Sequence, residues 1–333
     1  MGQRYGFNFQ WMFSWAKGRK PVPVDEKALD LMTSWGFNFV RIPMDYRFWI
    51  KDFEYFEPDE GVLQVIDSYL KACQKRNIHL SLNLHRAPGY CINGNEIERD
   101  NLWVDKVAQD GFVYQWEMFA RRYKGVSSEI LSFDLVNEPP NIGQYGLTRE
   151  NHADLIRLTV DAIWSIDPER EIEIDGLAGG NFPMPELSDL DVIQSGRGYQ
   201  PMALSHYRAR WTEGCMDLPE PVYPGVEWYG VTWDKTTLRE YYRPWLELEK
   251  KGVKVHIGEF GCFNHTPNDV AIRWFKDLLS LYKEFKWGYA LWNFEGPFGV
   301  IDHGRPGARY ENVQGYFVDR ELLNLLLENR VEE

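Results

Sequence analysis

Short apolar runs alternate with longer segments of helical period along almost the whole chain, and this repeated change of period limits the fold more than any other feature. The runs lie near residues 5–9, 38–43, 78–84, 131–136, 171–174, 202–206, 253–258 and 287–292. Between them, apolar residues recur at i, i+3, i+4 and i+7, as in Val62, Val65, Ile66, Tyr69, Leu70 and Cys73. That is the spacing of a helix that buries one face. Phe112, Trp116, Phe119 and Tyr123 repeat it, and Leu322, Leu323, Leu325 and Leu326 carry it near the end. A strand followed by a helix is the βα unit of a parallel sheet. Eight such units predict an α/β fold, the closed (β/α)8 TIM barrel.

The length of 333 residues suits one barrel of about 250 residues with extended βα loops. Pro and Gly are scattered, without a linker anywhere in 1–333, so a single domain is expected. The rival fold, an open doubly wound sheet, needs a phosphate-binding loop, and neither G-x-G-x-x-G nor G-x-x-x-x-G-K-[ST] occurs. A net charge of −13 argues against nucleic-acid binding, which requires clustered Lys and Arg. No apolar stretch is long enough to cross a membrane as a helix. Cys73, Cys91, Cys215 and Cys262 form no CxxC pair, so free thiols are expected. The histidines form no H-E-x-x-H cluster, which leaves neither a metal nor a cofactor to expect. A monomer is expected. No basic and then apolar leader precedes Tyr5-Gly6-Phe7-Asn8-Phe9, so the expected location is the cytoplasm, or outside the cell if a precursor was trimmed.

Two glutamates stand where β-branched runs give way to Pro or Gly: Glu138 in Leu135-Val136-Asn137-Glu138-Pro139-Pro140, and Glu259 in Val255-His256-Ile257-Gly258-Glu259-Phe260-Gly261. Such positions lie at the C-terminal ends of strands, where barrel enzymes keep their chemistry. Two carboxyl groups in different settings divide the work of acid catalysis, one protonated and one ionised. Glycoside hydrolysis needs such a pair, and the residues alone do not say which glutamate is which.

Gly36-Phe37-Asn38-Phe39-Val40-Arg41-Ile42-Pro43, His85-Arg86-Ala87-Pro88-Gly89, Asn137-Glu138-Pro139, Gly258-Glu259-Phe260-Gly261, and Trp292 ahead of Phe298-Gly299-Val300-Ile301-Asp302 occur in that order. In this ordered set the chain resembles glycoside hydrolase family 5, of the clan of retaining (β/α)8 glycosidases. The resemblance implies that Glu138 is the general acid and base and that Glu259 is the nucleophile. It further implies that Arg41 holds Glu259, the alternative being a structural ion pair with Asp134. Asn137 is implied to meet a sugar hydroxyl, His85 to line the site, and Trp292 to floor the catalytic subsite, since sugar C–H faces pack on indole.

One element departs from the pattern. The family carries His-x-Tyr after the sixth strand, with the tyrosine on the nucleophile, and this chain reads Ser205-His206-Tyr207-Arg208. His206 matches. Tyr207 stands one place early, so either a bulge re-aims it or Arg208 faces a group of its own. Trp35, Trp116, Trp164, Trp245 and Trp274 fall in helical periods and read as structural, whereas Trp11, Trp15, Trp103, Trp211, Trp228 and Trp233 lie in loops and are candidate sugar platforms.

The expected function is a retaining endo-β-1,4-glucanase acting on a β-linked polysaccharide or oligosaccharide. Alternatives within the family are an exo-acting β-glucosidase, a mannanase or mannosidase, and a transglycosylase, because the barrel does not choose among them. The long irregular segment 209–235 bears on endo against exo action. A non-catalytic carbohydrate-binding barrel is the alternative of another class.

Overall fold

The computed structural model describes residues 2–331. Eight strands are β1 (Tyr5–Asn8), β2 (Phe39–Asp45), β3 (His79–Ala87), β4 (Leu131–Asp134), β5 (Glu171–Asp175), β6 (Ile193–Gly198), β7 (Val255–Phe260) and β8 (Gly288–Leu291). Their order in the sheet is β2-β1-β8-β7-β6-β5-β4-β3, and β2 also pairs with β3, so the sheet closes into the (β/α)8 barrel. Tyr90–Cys91 adds a short antiparallel strand on the end of β3. Long helices follow seven of the strands: Glu26–Ser34, Glu60–Gln74, Lys106–Arg122, Arg149–Ile166, Lys235–Glu249, Asn268–Phe285 and Arg320–Glu328.

Two expectations need correction. The apolar run 202–206 is no strand: Met202–Ser205 is a four-residue helix, and the sixth strand is Ile193–Gly198. That strand reads Ile-Gln-Ser-Gly-Arg-Gly, and its buried polar groups are satisfied instead of avoided. Gln194, for example, exchanges two hydrogen bonds of 2.8 Å with the backbone of Met184. The fifth connection also lacks a full helix. Only Leu177–Gly180 turns, with Ala178 and Gly179 at positive φ, and the Pro and Gly of the segment stop it from propagating.

The chain gathers into two compact units. One comprises Gln10–Gly196 with Lys251–Lys254. Here β2, β3, β4 and β5 are parallel neighbours, with Arg41 opposite Ser81, Asn83 opposite Asp134, and Asp134 opposite Glu173. All five side chains are buried, so this layer has to satisfy itself with ion pairs and hydrogen bonds. The alternate residues are apolar, and Phe133 meets Trp116 of helix Lys106–Arg122 at 5.1 Å between ring centroids.

The other unit comprises Met1–Phe9, Arg197–Lys250 and Val255–Glu333. In it Ile257 pairs with Tyr289, and beyond a register shift Phe260 pairs with Leu291. The irregularity brackets Glu259, and a bulge of this kind re-aims the side chains beside it. Gly198 ends β6 so close to its neighbours that a Cβ there would strike the Tyr282 hydroxyl and Phe260. Helix Asn268–Phe285 closes this side by burying Trp274, Phe275, Leu278, Leu279 and Tyr282, each worth about 1.5–3 kcal/mol. Within segment 209–235, Val226–Trp228 and Val231–Trp233 form an antiparallel hairpin. The four cysteines are free and buried, and no helix among the described residues is long and apolar enough to cross a membrane.

Candidate active site

Four of the candidate residues belong to the Gln10–Gly196 unit: Arg41, His85, Asn137 and Glu138. Beyond β4 the chain runs on through Leu135 and Val136, tied by the Asn137 N–H to the Leu84 carbonyl at 3.0 Å. Arg41 donates from Nε to Asp134 at 2.7 Å and from Nη2 to Asn137 Oδ1 at 2.9 Å, with Asp175 3.7 Å away. Arg41, Asp134 and Asp175 have fully buried side chains. Two carboxylates around one guanidinium make the burial of the charge tolerable. In this unit, then, Arg41 makes the ion pair with Asp134 and fixes which way the Asn137 amide faces.

Glu138 is half-buried and stands at φ 48°, in the left-handed region. For a residue other than Gly this costs of order 1–3 kcal/mol and persists only when neighbours enforce it. They do so here. The Glu138 N–H donates to Asp175 Oδ2 at 2.9 Å, and its carbonyl accepts from the Tyr90 hydroxyl at 2.6 Å. The following turn is tied down as well, with Pro139 and Pro140 carbonyls accepting from Gly179 and Ala178. His85 is buried at the end of β3, its ring edge-on to Phe13 at 4.7 Å.

The remaining four, His206, Tyr207, Glu259 and Trp292, belong to the other unit. Glu259 is 3% exposed near the end of β7. Arg197 Nη2 lies 3.5 Å from its Oε1, and the Tyr199 hydroxyl donates to Oε2 at 3.0 Å. A cation and a hydrogen-bond donor both favour the ionised carboxylate. The tyrosine on Glu259 is thus Tyr199, while the Tyr207 ring is buried beneath the Arg208 guanidinium at 5.1 Å. Arg197 and Tyr199 escape a reading of the sequence because their strand is polar. The signal was the Gly198 and Pro201 punctuation around them, which marks a strand end as Pro or Gly does beside Glu138 and Glu259.

His206 packs edge-on against Tyr199 at 5.1 Å. The Ser205 hydroxyl spends its proton on the Tyr199 carbonyl, so its contact with His206 Nδ1 at 2.9 Å is made by an Nδ1–H donor. Burial pushes His206 down to about 4, against an upward pull from Glu259, and the ring is neutral near pH 7. Trp292 is half-buried and packs with Tyr199 on the cluster of Ala209, Phe263 and Phe298. Of the loop tryptophans, Trp11, Trp103 and Trp233 are buried, whereas Trp211 is 54% exposed with its ring edge-on to Phe263 at 4.9 Å.

Two neutral buried histidines carry a pH consequence. Burial also holds His152 down at about 3. As pH falls below about 6.5, the unfolded chain binds protons that the folded imidazoles refuse. Stability should therefore drop with falling pH, down to about 4 for His206 and 3 for His152, by at most about 1.4 kcal/mol per pH unit for each. Urea unfolding between pH 6 and 4.5 should show a slope shallower by that amount in His152→Gln, and an unchanged slope would refute the account.

Residues 3–296 match the family model described as cellulase, glycosyl hydrolase family 5. Endoglucanase C of Acetivibrio thermocellus is 31% identical, over 91% of this chain and 90% of the relative. A crystal structure described as that of a glycoside hydrolase is 70% identical and superposes with a TM-score of 0.98, covering 99% of this chain and 100% of that one. An endoglucanase of Thermotoga maritima, 24% identical over 97% of this chain and 96% of its own, shares the fold with a TM-score of 0.77. With strand-end glutamates framed by the family's motifs and a match that spans most of its length, the chain belongs to glycosyl hydrolase family 5 and is a glycosidase that hydrolyses O-glycosyl bonds.

Proposed function

We propose that this protein is an endo-acting, retaining β-1,4-glucanase in which Glu259 is the nucleophile and Glu138 the general acid and base. The observation that carries the assignment is the contrast between the two carboxyl groups. Glu259 is buried against a guanidinium and a phenol, partners that keep it ionised and aimed. Glu138 is half-buried, so its carboxyl group stands nearer to solvent than that of Glu259, the setting of a group that exchanges protons with substrate and water.

In the first step Glu259 attacks the anomeric carbon while Glu138 protonates the departing glycosidic oxygen. The C–O bond to the leaving sugar breaks, and a glycosyl ester forms. In the second step Glu138 takes a proton from water, the water oxygen attacks the anomeric carbon, and Glu259 leaves. Two inversions give net retention, and the reading requires the carboxyl groups to stand about 5–5.5 Å apart. The choice of β-glucan rests on the relative named an endoglucanase. Trp292 and exposed Trp211, on one aromatic cluster with Tyr199, are the indoles best placed to stack on sugar faces.

The test is the product profile on soluble β-glucan, mannan, xylan and their short oligosaccharides, with the anomer of the first product followed by NMR. Mixed oligosaccharides from β-glucan, released first as the β-anomer, support the proposal. Release of monosaccharide or disaccharide from short chains alone would make the enzyme exo-acting, and an α-anomer would reject retention.

A further inference from the structure

We propose that Tyr90 and Asp175 form a two-sided clamp on the backbone of Glu138 that holds it in the left-handed conformation and thereby aims its carboxyl group. This rests on the reading of Glu138 as the acid and base. The Glu138 N–H lies in the peptide plane before its Cα, and its carbonyl lies in the plane after it. Asp175 takes the first at 2.9 Å and Tyr90 holds the second at 2.6 Å. Fixing both planes fixes φ and ψ together, and with them the direction of the Cα–Cβ bond.

The intrinsic preferences of the residues oppose the observed geometry. A glutamate gains nothing from φ 48°, and the proline that follows biases it towards extended backbone. Relaxation to that region would swing the carboxyl group off its target, and a misplacement of about 1 Å is enough to cost about a hundredfold in rate.

Both jaws are rigid. Tyr90 is fully buried, edge-on to Trp103 at 5.0 Å, and burial pushes its phenol well above the usual range, so it remains a donor at any working pH. Asp175 is 1% exposed at the end of β5 and faces Arg41 at 3.7 Å. One jaw comes from the loop after β3 and the other from the end of β5, so the clamp also ties three strand ends together around the acid. Neither side chain needs to meet the substrate: both are positioning residues.

The experiment compares Tyr90→Phe, Asp175→Asn and Asp175→Ala with Glu138→Ala on two substrates: β-glucan, whose leaving group needs a proton, and 2,4-dinitrophenyl β-cellobioside, whose leaving group does not. Tyr90→Phe should lower kcat on β-glucan by about ten- to a hundredfold with KM near wild type, and should change the rate of the first dinitrophenol burst by less than about threefold, the burst being the readout on that substrate because the later step needs Glu138 as base. Asp175→Asn keeps an acceptor for the Glu138 N–H and should retain most of the rate on β-glucan, whereas Asp175→Ala, which has none, should show the same split between substrates as Tyr90→Phe. Equal losses on both substrates in Tyr90→Phe, or no loss, would overturn the clamp. If Tyr90→Phe does not fold, Asp175→Ala decides, and equal losses on both substrates there overturn the clamp. Glu138→Ala separates the two levels. Should it discriminate between the substrates while the clamp variants do not, the clamp fails alone; should it too lose both activities equally, the reading of Glu138 itself fails.

Discussion

Glu259→Ala should lose about 10⁴-fold or more of its turnover on β-glucan, the largest effect of any single substitution in this chain. The carboxylate it removes is 3% exposed and held by Arg197 and Tyr199. Removing it forfeits the covalent intermediate and the charge that stabilises the oxocarbenium-like transition state on that face. The loss should fall on activated and unactivated substrates alike, because attack on the anomeric carbon is needed for both. Added azide should restore turnover of the dinitrophenyl glycoside by attacking from the vacated side, with a single inversion and an α-glycosyl azide as product. A variant that keeps more than about a tenth of the rate would show that the nucleophile lies elsewhere.

Glu138→Ala should divide the substrates. On β-glucan the loss of proton donation should cost about 10²- to 10⁴-fold, whereas the dinitrophenyl glycoside should still form the glycosyl-enzyme at close to the wild-type rate. Water then lacks a base, so a burst of dinitrophenol equal to the enzyme concentration should precede a slow steady state. Azide needs no base. It should relieve the second step and yield the β-glycosyl azide, the opposite anomer to that from Glu259→Ala. Identical anomers from the two variants, or a steady state without a burst, would contradict the division of roles.

Much of this was legible in the residues. Both glutamates announce themselves because apolar runs end at Pro or Gly there, and seven of the eight strands lie where such runs predict them. The sixth was hidden by its own chemistry. Gln194, Ser195 and Arg197 are all buried, and a strand that buries polar groups against partners has no apolar run to read. The apolar Met202-Ala203-Leu204 drew the prediction eight or nine residues too late, so Tyr207 was nominated where Tyr199 makes the contact. For Arg41 the resemblance implies a hold on Glu259, with an ion pair to Asp134 as the alternative, and the structure shows the Asp134 pair at 2.7 Å beside Asp175 at 3.7 Å. Periodicity reports which face a side chain takes, but it is silent on which of several carboxylates a buried guanidinium meets. The Glu138 clamp was equally out of reach, since it depends on a backbone angle and on partners 48 and 37 residues away.

The shortened fifth connection has an implication for how the enzyme dies on heating. Its Leu177–Gly180 turn is four residues long, so few cooperative helical bonds oppose local opening there. The same segment supplies the Ala178 and Gly179 amides that hold the turn after Glu138. A fluctuation confined to it would therefore loosen the proton donor while the anchoring of Glu259, on other elements, stayed intact. Thermal inactivation should then begin as a selective failure: activity on polysaccharide fades at temperatures where activated glycosides still react, before the bulk of the barrel melts.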